Sequence, residues 1–280
     1  MQMIDCGEIV IEQRKLASKF LHRDMLVDFY IPKYLKQNSG VNLLLINDGQ
    51  DLITMNFAAM LDGMIATRLL QPLFCVGIHA GVERRQEYGT AKILDCQGRG
   101  SKSEAYNNFI IHELLPYIRT HYYAPDFLTT NLAGFSLGGL TAIDMAWHHP
   151  KLFSTVGVFS GSLWWRLRDL NQGYNEDTDR IMHRQIRNGK YHAGLRFYFT
   201  TGSLDEVADR NKNGIIDSID DTLSFIDELK KKGYDNSDIK YVNFEDGKHD
   251  VPTWARAMPG FLLWGWAKNQ LSVKINAEAC

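Results

Sequence analysis

The sequence contains no run of about 18 apolar residues, so nothing in it reads as a helical membrane span. Its 7 prolines and 23 glycines gather in no linker or low-complexity tract, and no internal repeat is visible. Residues 1–280 therefore read as one domain. Neither sign of charge prevails: 31 Lys and Arg against 33 Asp and Glu leave a net charge of −2. That balance removes the electrostatic reason to expect nucleic acid or an anionic membrane as partner. Cysteine is scarce, and Cys6, Cys75, Cys96 and Cys280 are scattered, with no C-x-x-C and no histidine at zinc spacing. Free thiols in a reducing compartment are the expectation, which excludes a disulfide scaffold. The opening Met-Gln-Met-Ile-Asp-Cys-Gly-Glu carries an acid early and lacks a basic start with an apolar centre. It does not read as a secretory leader, so a cytoplasmic location is expected. A chain matured from a longer precursor would instead be secreted or periplasmic.

What is present alternates. Residues 8–13 and 25–32 have period two, with Val27, Phe29 and Ile31 on one face, as in half-buried antiparallel strands. Residues 41–46, Val-Asn-Leu-Leu-Leu-Ile, are nearly continuous hydrophobe and suit a strand covered on both faces. They stop at the turn sequence Asn47-Asp48-Gly49-Gln50. A helix through about Leu70 and a buried strand at 73–78 follow. Residues 103–122 place Phe109, Ile110, Leu114, Tyr117 and Ile118 at helical spacing. Beyond them the pattern predicts strands at 130–135, 156–160, 195–200 and 239–244, and helices at 137–148, 218–232 and 253–269. Such alternation implies right-handed crossovers. The expected fold is α/β: a mostly parallel central sheet with helices on both faces and antiparallel N-terminal edge strands.

Between the strand at 130–135 and the helix at 137–148 stands Gly134-Phe135-Ser136-Leu137-Gly138-Gly139. In G-x-S-x-G the glycines let backbone pass close to a strained serine, and the helix N-terminus aims N–H groups at developing negative charge. A serine there is a useful nucleophile when a base and oxyanion donors lie beside it. The acid and then the base are expected at the ends of later strands. Residues 201–206, Thr-Gly-Ser-Leu-Asp-Glu, follow one such strand, and residues 245–250, Glu-Asp-Gly-Lys-His-Asp, follow the next. Of 9 histidines only His249 lies beyond the acid, which makes it the expected base. His148 and His149 read as cations near a helix end. His112 and His121 belong to the amphipathic helix. Asp205 is the favoured acid with Glu206 as the alternative, because Asp246 and Asp250 flank the base on its own loop. One oxyanion donor is expected at the Leu137 amide and the other at Gly49 or Gln50. Together these features predict an α/β-hydrolase with a Ser136–Asp205–His249 triad.

The ordered motifs resemble a known group. Leu-Leu-Ile-Asn-Asp-Gly-Gln, Arg85-Gln86-Glu87-Tyr88, residues 109–116 (Phe-Ile-Ile-His-Glu-Leu-Leu-Pro), Gly-Phe-Ser-Leu-Gly-Gly, His149-Pro150, Leu152-Phe153 and Ser160-Gly161-Ser162-Leu163-Trp164-Trp165 follow one pattern. It is similar to that of the esterase family which includes enterochelin esterases, feruloyl esterases, S-formylglutathione hydrolase and the mycolyltransferases. The resemblance covers most of residues 25–265 and implies a serine ester hydrolase acting on a small-molecule ester. By similarity an oxyanion donor falls at Gln50. Asn47 departs from the pattern, since many members carry an apolar residue or His there. The acid is the least transferable member, because siderophore hydrolases of the group can lack it.

Substrate contacts are expected from Trp164 and Trp165, just past a strand end, and from Arg85 and Tyr88, in the loop after the strand at 73–78. The expected substrates are short-chain acyl, aryl (feruloyl-like) or siderophore esters. No cofactor is needed for the chemistry. Residues 209–220 fit a calcium loop, with oxygen ligands at Asp209, Asn211, Asn213, Asp217 and Asp220, the Ile215 carbonyl, and Gly214 at the turn. Such an ion would stiffen the loop that carries the acid. Two rival readings are an acyltransferase on the same site and a calcium-binding, non-catalytic homologue.

Overall fold

The computed structural model describes residues 2–33, 40–71, 73–122 and 127–268. Its centre is a nine-stranded sheet in the order β1-β2-β3-β5-β4-β6-β7-β8-β9. Strands β1 (Gln2–Cys6), β2 (Ile9–Ser18) and β3 (Arg23–Pro32) form an antiparallel edge, and β3 pairs antiparallel with β5 (Leu73–Ile78). From β5 onward β4 (Val41–Asn47), β6 (Phe127–Phe135), β7 (Thr155–Phe159), β8 (Arg196–Leu204) and β9 (Ile239–Lys248) run parallel. The expected mostly parallel sheet with an antiparallel N-terminal edge is therefore present.

Helices cover both faces. One layer holds α1 (Asp51–Thr54), α2 (Phe57–Ala66) and α10 (Val251–Trp266). The opposite layer holds α4 (Ser103–Phe109), α5 (Leu115–His121), α6 (Leu137–His148), α8 (Ile181–Asn188) and α9 (Asp217–Lys232). Short helices α3 (Arg84–Glu87) and α7 (Glu176–Asp179) stand in the connections. Each residue of β4 is buried because Leu43 and Leu45 enter one apolar core while Leu44 and Ile46 enter the other. Helix α6, laid against β6 and β7, is buried except at its last residue, His148.

Three local differences from the sequence pattern have physical causes. Residues 103–122 are not one regular helix: a π turn at Ile110–Leu114 separates α4 from α5. Pro116 stands two residues past its end, in the first turn of α5, and a proline has no N–H for the carbonyl one turn back. β1 escapes the periodicity because five residues of mixed polarity make a strand only through their antiparallel pairing with β2. The helix after β4 breaks into α1 and α2 at Asn56, which turns at φ 53°.

Cys6, Cys75 and Cys96 are unpaired. Cys280, and Asn269 at the expected end of the last helix, lie outside the described residues. Among the described residues no helix is long and apolar enough to cross a membrane.

Candidate active site

β6 ends at Phe135 and α6 begins at Leu137, so Ser136 alone makes the turn between them, at φ 54° and ψ −119°. Such a backbone costs an L-residue on the order of 1–3 kcal/mol and persists only where its surroundings over-determine it. Here they do. The Ser136 N–H donates to the Phe159 carbonyl (2.9 Å), and its own carbonyl accepts from Gly139, Leu140 and Ser162 (3.1, 3.2 and 3.1 Å). A Cβ on Gly134 would lie 2.3 Å from the Gly138 backbone, so strand and helix approach where only glycine fits.

Leu137 and Gly138 open α6, and their N–H groups have no carbonyl one turn back to bond. Across the cleft, the Gly49 N–H donates to the Ile78 carbonyl at 2.8 Å and is committed there, which removes Gly49 as an oxyanion donor. Gln50 stands just before α1. Its Oε1 accepts from the Ala80 N–H (3.0 Å) and its Nε2 donates to Asp48 (3.3 Å), pinning this turn across the ends of β4 and β5.

Beneath the turn runs a buried polar chain that spacing in the sequence does not reveal. Asn47 donates to the Gly138 carbonyl (2.8 Å) and accepts from the Tyr106 hydroxyl (2.6 Å). Asp48, buried at φ 60°, accepts from Arg84 Nε and Nη2 at 2.7 and 2.8 Å. Its N–H donates to the Tyr88 hydroxyl at 3.1 Å. The chain joins the end of β4 to the first turn of α6, the two segments that border Ser136.

A cavity of about 430 Å³ opens over Ser136, and Leu137, Asp205, Glu206 and His249 share its wall. The parallel strands deliver them at one edge of the sheet: Ser136 follows β6, Asp205 follows β8 and His249 follows β9. Burial holds the His249 imidazole below its ordinary range, partly offset by the Asp205 carboxylate. Burial raises Asp205, whose two carboxylate oxygens are buried with no hydrogen-bond partner among the described residues, and the His249 charge acts in the opposite sense. The other carboxylates near the base are engaged elsewhere. Asp246 pairs with Arg256 at 2.8 Å, and Asp250 caps α10 by accepting from the Thr253 N–H at 3.0 Å. Glu206 is raised by burial and the Asp217 charge, while the Ser218 amide at the head of α9 acts in the opposite sense. The His249 ring meets Trp254 edge-on at 5.3 Å, and Trp254 Nε1 donates to Ser160 Oγ at 3.1 Å.

Of the expected substrate contacts, Trp164 and Arg85 line the cavity. Tyr88 and Trp165 do not: both are fully buried. Tyr88 spends its hydroxyl on the Asp48 amide, and Trp165 fills the space left by Gly89 and Gly100. Two adjacent tryptophans on one loop cannot both face the cleft, and spacing does not say which one does. Arg84, which the sequence offers beside Arg85 as a contact for a polar or anionic group, also lines the cavity, and Arg99, Ser160 and Ser162 complete the wall without having been expected from the sequence. Arg99 pairs with Asp95 (Nε to Oδ2, 2.7 Å) and lies 5.0 Å over the Trp164 ring. The serines had a readable signal, since Ser160-Gly161-Ser162 directly follows the strand that neighbours β6.

The loop at 209–220 folds on itself. Asp209 accepts from the Asn213 and Gly214 N–H groups (3.1 and 2.9 Å). Asn211 and Asn213 both donate to Asp220 (3.1 and 2.9 Å). Asp217 turns away, accepting from the Arg210 N–H (2.9 Å) and facing its guanidinium at 3.3 Å. Among the described residues no group of three or more His, Cys, Asp or Glu gathers as a metal would need.

A doubly covered, mostly parallel sheet with a strained serine elbow at its carboxyl edge defines the α/β-hydrolase class. The chain matches the family described as "Putative esterase" over residues 18–264 and belongs to it. The Iron(III) salmochelin esterase of Escherichia coli O6:H1 is 28% identical over 204 residues, covering 71% of this chain and 46% of that protein. An enterochelin esterase from Shigella flexneri superposes with a TM-score of 0.69 at 21% identity, covering 91% of this chain and 58% of that one. A ferulic acid esterase gives 0.67 at 17% identity, with 92% and 97% covered. This chain thus spans about half the length of the two siderophore-ester relatives.

Proposed function

We propose that this chain, as one catalytic domain, cleaves carboxylic esters through an acyl-enzyme, with Ser136 as nucleophile, His249 as base and Asp205 as the acid that orients it. The observation that carries the reading is the strained Ser136 elbow opening into one cavity with His249. Ser136 Oγ attacks the ester carbonyl as its proton passes to the His249 imidazole. The carbonyl π electrons move to oxygen, where the N–H groups of Leu137 and Gln50 receive the charge. Collapse expels the alcohol with the proton from His249, and water then repeats the sequence on the acyl-enzyme. A neutral imidazole is required for the first step, and the burial that depresses His249 supplies it at neutral pH.

The substrate class best supported is an aryl ester bearing polar or anionic substituents, of the siderophore or feruloyl kind. Trp164 offers a ring face backed by the Arg99 guanidinium, and Arg85 brings a further cation to the same wall. The names of the relatives point the same way. A structural Ca²⁺ in the loop at 209–220 is a further part of this reading. It would draw on Asp209, Asn211, Asn213, the Ile215 carbonyl and Asp220, with Asp217 held by Arg210 instead.

Fluorophosphonate labelling tests the core of the proposal. Wild-type protein should be labelled and inactivated, and Ser136→Ala should be silent in both respects. Labelling that persists in Ser136→Ala would overturn the assignment.

A further inference from the structure

The hydroxyl of Ser136 has a hydrogen-bonding neighbour in Ser162, a residue the triad does not require. Its Oγ is 3.2 Å from Ser136 Oγ. Three features of the chain put it there. β7 runs beside β6 in the register Phe135↔Phe159, so the residues after Phe159 meet the elbow directly. Ser160 turns the chain at φ 44°, and Gly161 passes where a Cβ would lie 2.4 Å from Val158 Cγ1. The Ser162 N–H then donates to the Ser136 carbonyl at 3.1 Å, which locks the two segments together. A strained residue, an obligatory glycine and a backbone hydrogen bond all serve to place one hydroxyl.

We propose that Ser162 is a positioning residue whose hydroxyl donates to Ser136 Oγ and holds the nucleophile ready for attack. The direction of the bond follows from the chemistry, and this step rests on Ser136 being the nucleophile. For general-base catalysis the Ser136 proton must point to His249, so Ser136 can only accept from Ser162. Ser162 is 2% exposed, and among the described residues its Oγ has no other hydrogen-bond partner. Ser136 Oγ is thus the one protein acceptor within its reach among the described residues. The bond restricts the Ser136 rotamer in the free enzyme. As the proton leaves for His249 and charge grows on Oγ, a donor at this position strengthens. The effect therefore falls on acylation more than on substrate binding.

The test compares Ser162→Ala, Ser162→Cys and Ser162→Thr, with Ser136→Ala alongside. The cysteine keeps the volume while replacing the hydroxyl by a weak donor, and the threonine keeps the hydroxyl. For the alanine and cysteine variants kcat and the fluorophosphonate labelling rate should both fall about tenfold, the scale of one hydrogen bond to an oxygen gaining charge. KM should stay within about twofold, and the acid limb of the pH profile should not move, since His249 is untouched. Threonine should restore most of the labelling rate. The inference fails if alanine and cysteine variants are labelled at the wild-type rate. It fails equally if cysteine restores full activity, because the role would then be one of volume. Labelling in Ser136→Ala would remove the underlying assignment instead, so the two failures are distinguishable.

Discussion

Replacing Arg84 by methionine should destabilise the protein far more than its position at a cavity wall suggests. The guanidinium gives Asp48 two hydrogen bonds, at 2.7 and 2.8 Å. The Asp48 side chain is 1% exposed and that of Arg84 30%. Removing Arg84 leaves a desolvated carboxylate with only the long contact from Gln50 Nε2 at 3.3 Å. Breaking a buried pair in this way costs about 3–5 kcal/mol, mostly as the penalty on the stranded charge. For 280 residues, an unfolding entropy of about 2.1 cal/mol/K per residue turns that into a fall in Tm of roughly 5–9 °C. The reverse change, Asp48→Asn, strands Arg84 instead, but Arg84 opens onto the cavity and can be hydrated there. It should cost about 1–2 kcal/mol, and the double variant about 2 kcal/mol, giving a coupling energy of about 2–5 kcal/mol. Urea unfolding of the four proteins measures each side of this cycle. If Arg84→Met loses less than about 1 kcal/mol, or the two changes simply add, the pair is not what holds the turn and the reasoning is refuted.

The pH dependence of kcat/KM should be flat near neutrality and fall on the acid side, with its midpoint below the ordinary histidine value of 6.5, because burial favours the neutral, working form of His249. A midpoint above 6.5 would contradict this. The Asp205 charge opposes that depression, so Asp205→Asn should move the acid limb to lower pH and lower the plateau by about a hundredfold or more. Glu206→Gln should leave the limb in place; a shift there and none in Asp205→Asn would transfer the role to Glu206. If the loop at 209–220 holds calcium, Ca²⁺ at a hundredfold excess over its Kd should add about 2.7 kcal/mol to stability, reversed by EGTA. An unchanged unfolding midpoint would remove that part of the proposal.

The parallel half of the sheet was legible because strands covered on both faces must be largely apolar, and residues 41–46 and 73–78 carry no polar side chain but Asn42. The elbow was legible because its glycines answer local demands, as the contact between Gly134 and Gly138 shows. What local pattern could not supply was anything decided by the meeting of distant segments. Asp48 and Arg84 are 36 positions apart, and each alone reads as a turn residue or a solvated loop charge. Tyr88 looked like an exposed loop aromatic and is instead buried against Tyr106, with ring centroids 5.1 Å apart. The commitment of the Gly49 amide to Ile78 depends on how closely β4 approaches β5, a fact of packing that composition does not carry. Ser162 lay in plain view in Ser-Gly-Ser, but its meaning needed the register of β7 on β6.

The burial of α6 has a consequence for how the site comes apart. Beyond its first turn, the amides of this helix are bonded within it and lie in the larger apolar core, so their hydrogen exchange is expected to require opening of the sheet. Ser136, held at the head of that helix, thus belongs to the unit expected to unfold last. Asp205 heads the opposite kind of segment: Val207 beside it is 96% exposed, and residues 211–215 lie on the surface. Arg210 ties the middle of that stretch to Glu176 and Asp221, so only residues 211–215 are expected to open for a small part of the global free energy. The nucleophile and the acid therefore rest on segments of unequal burial, and the amides of residues 211–215, beside the acid's loop, should exchange well before those of the buried helix behind the elbow.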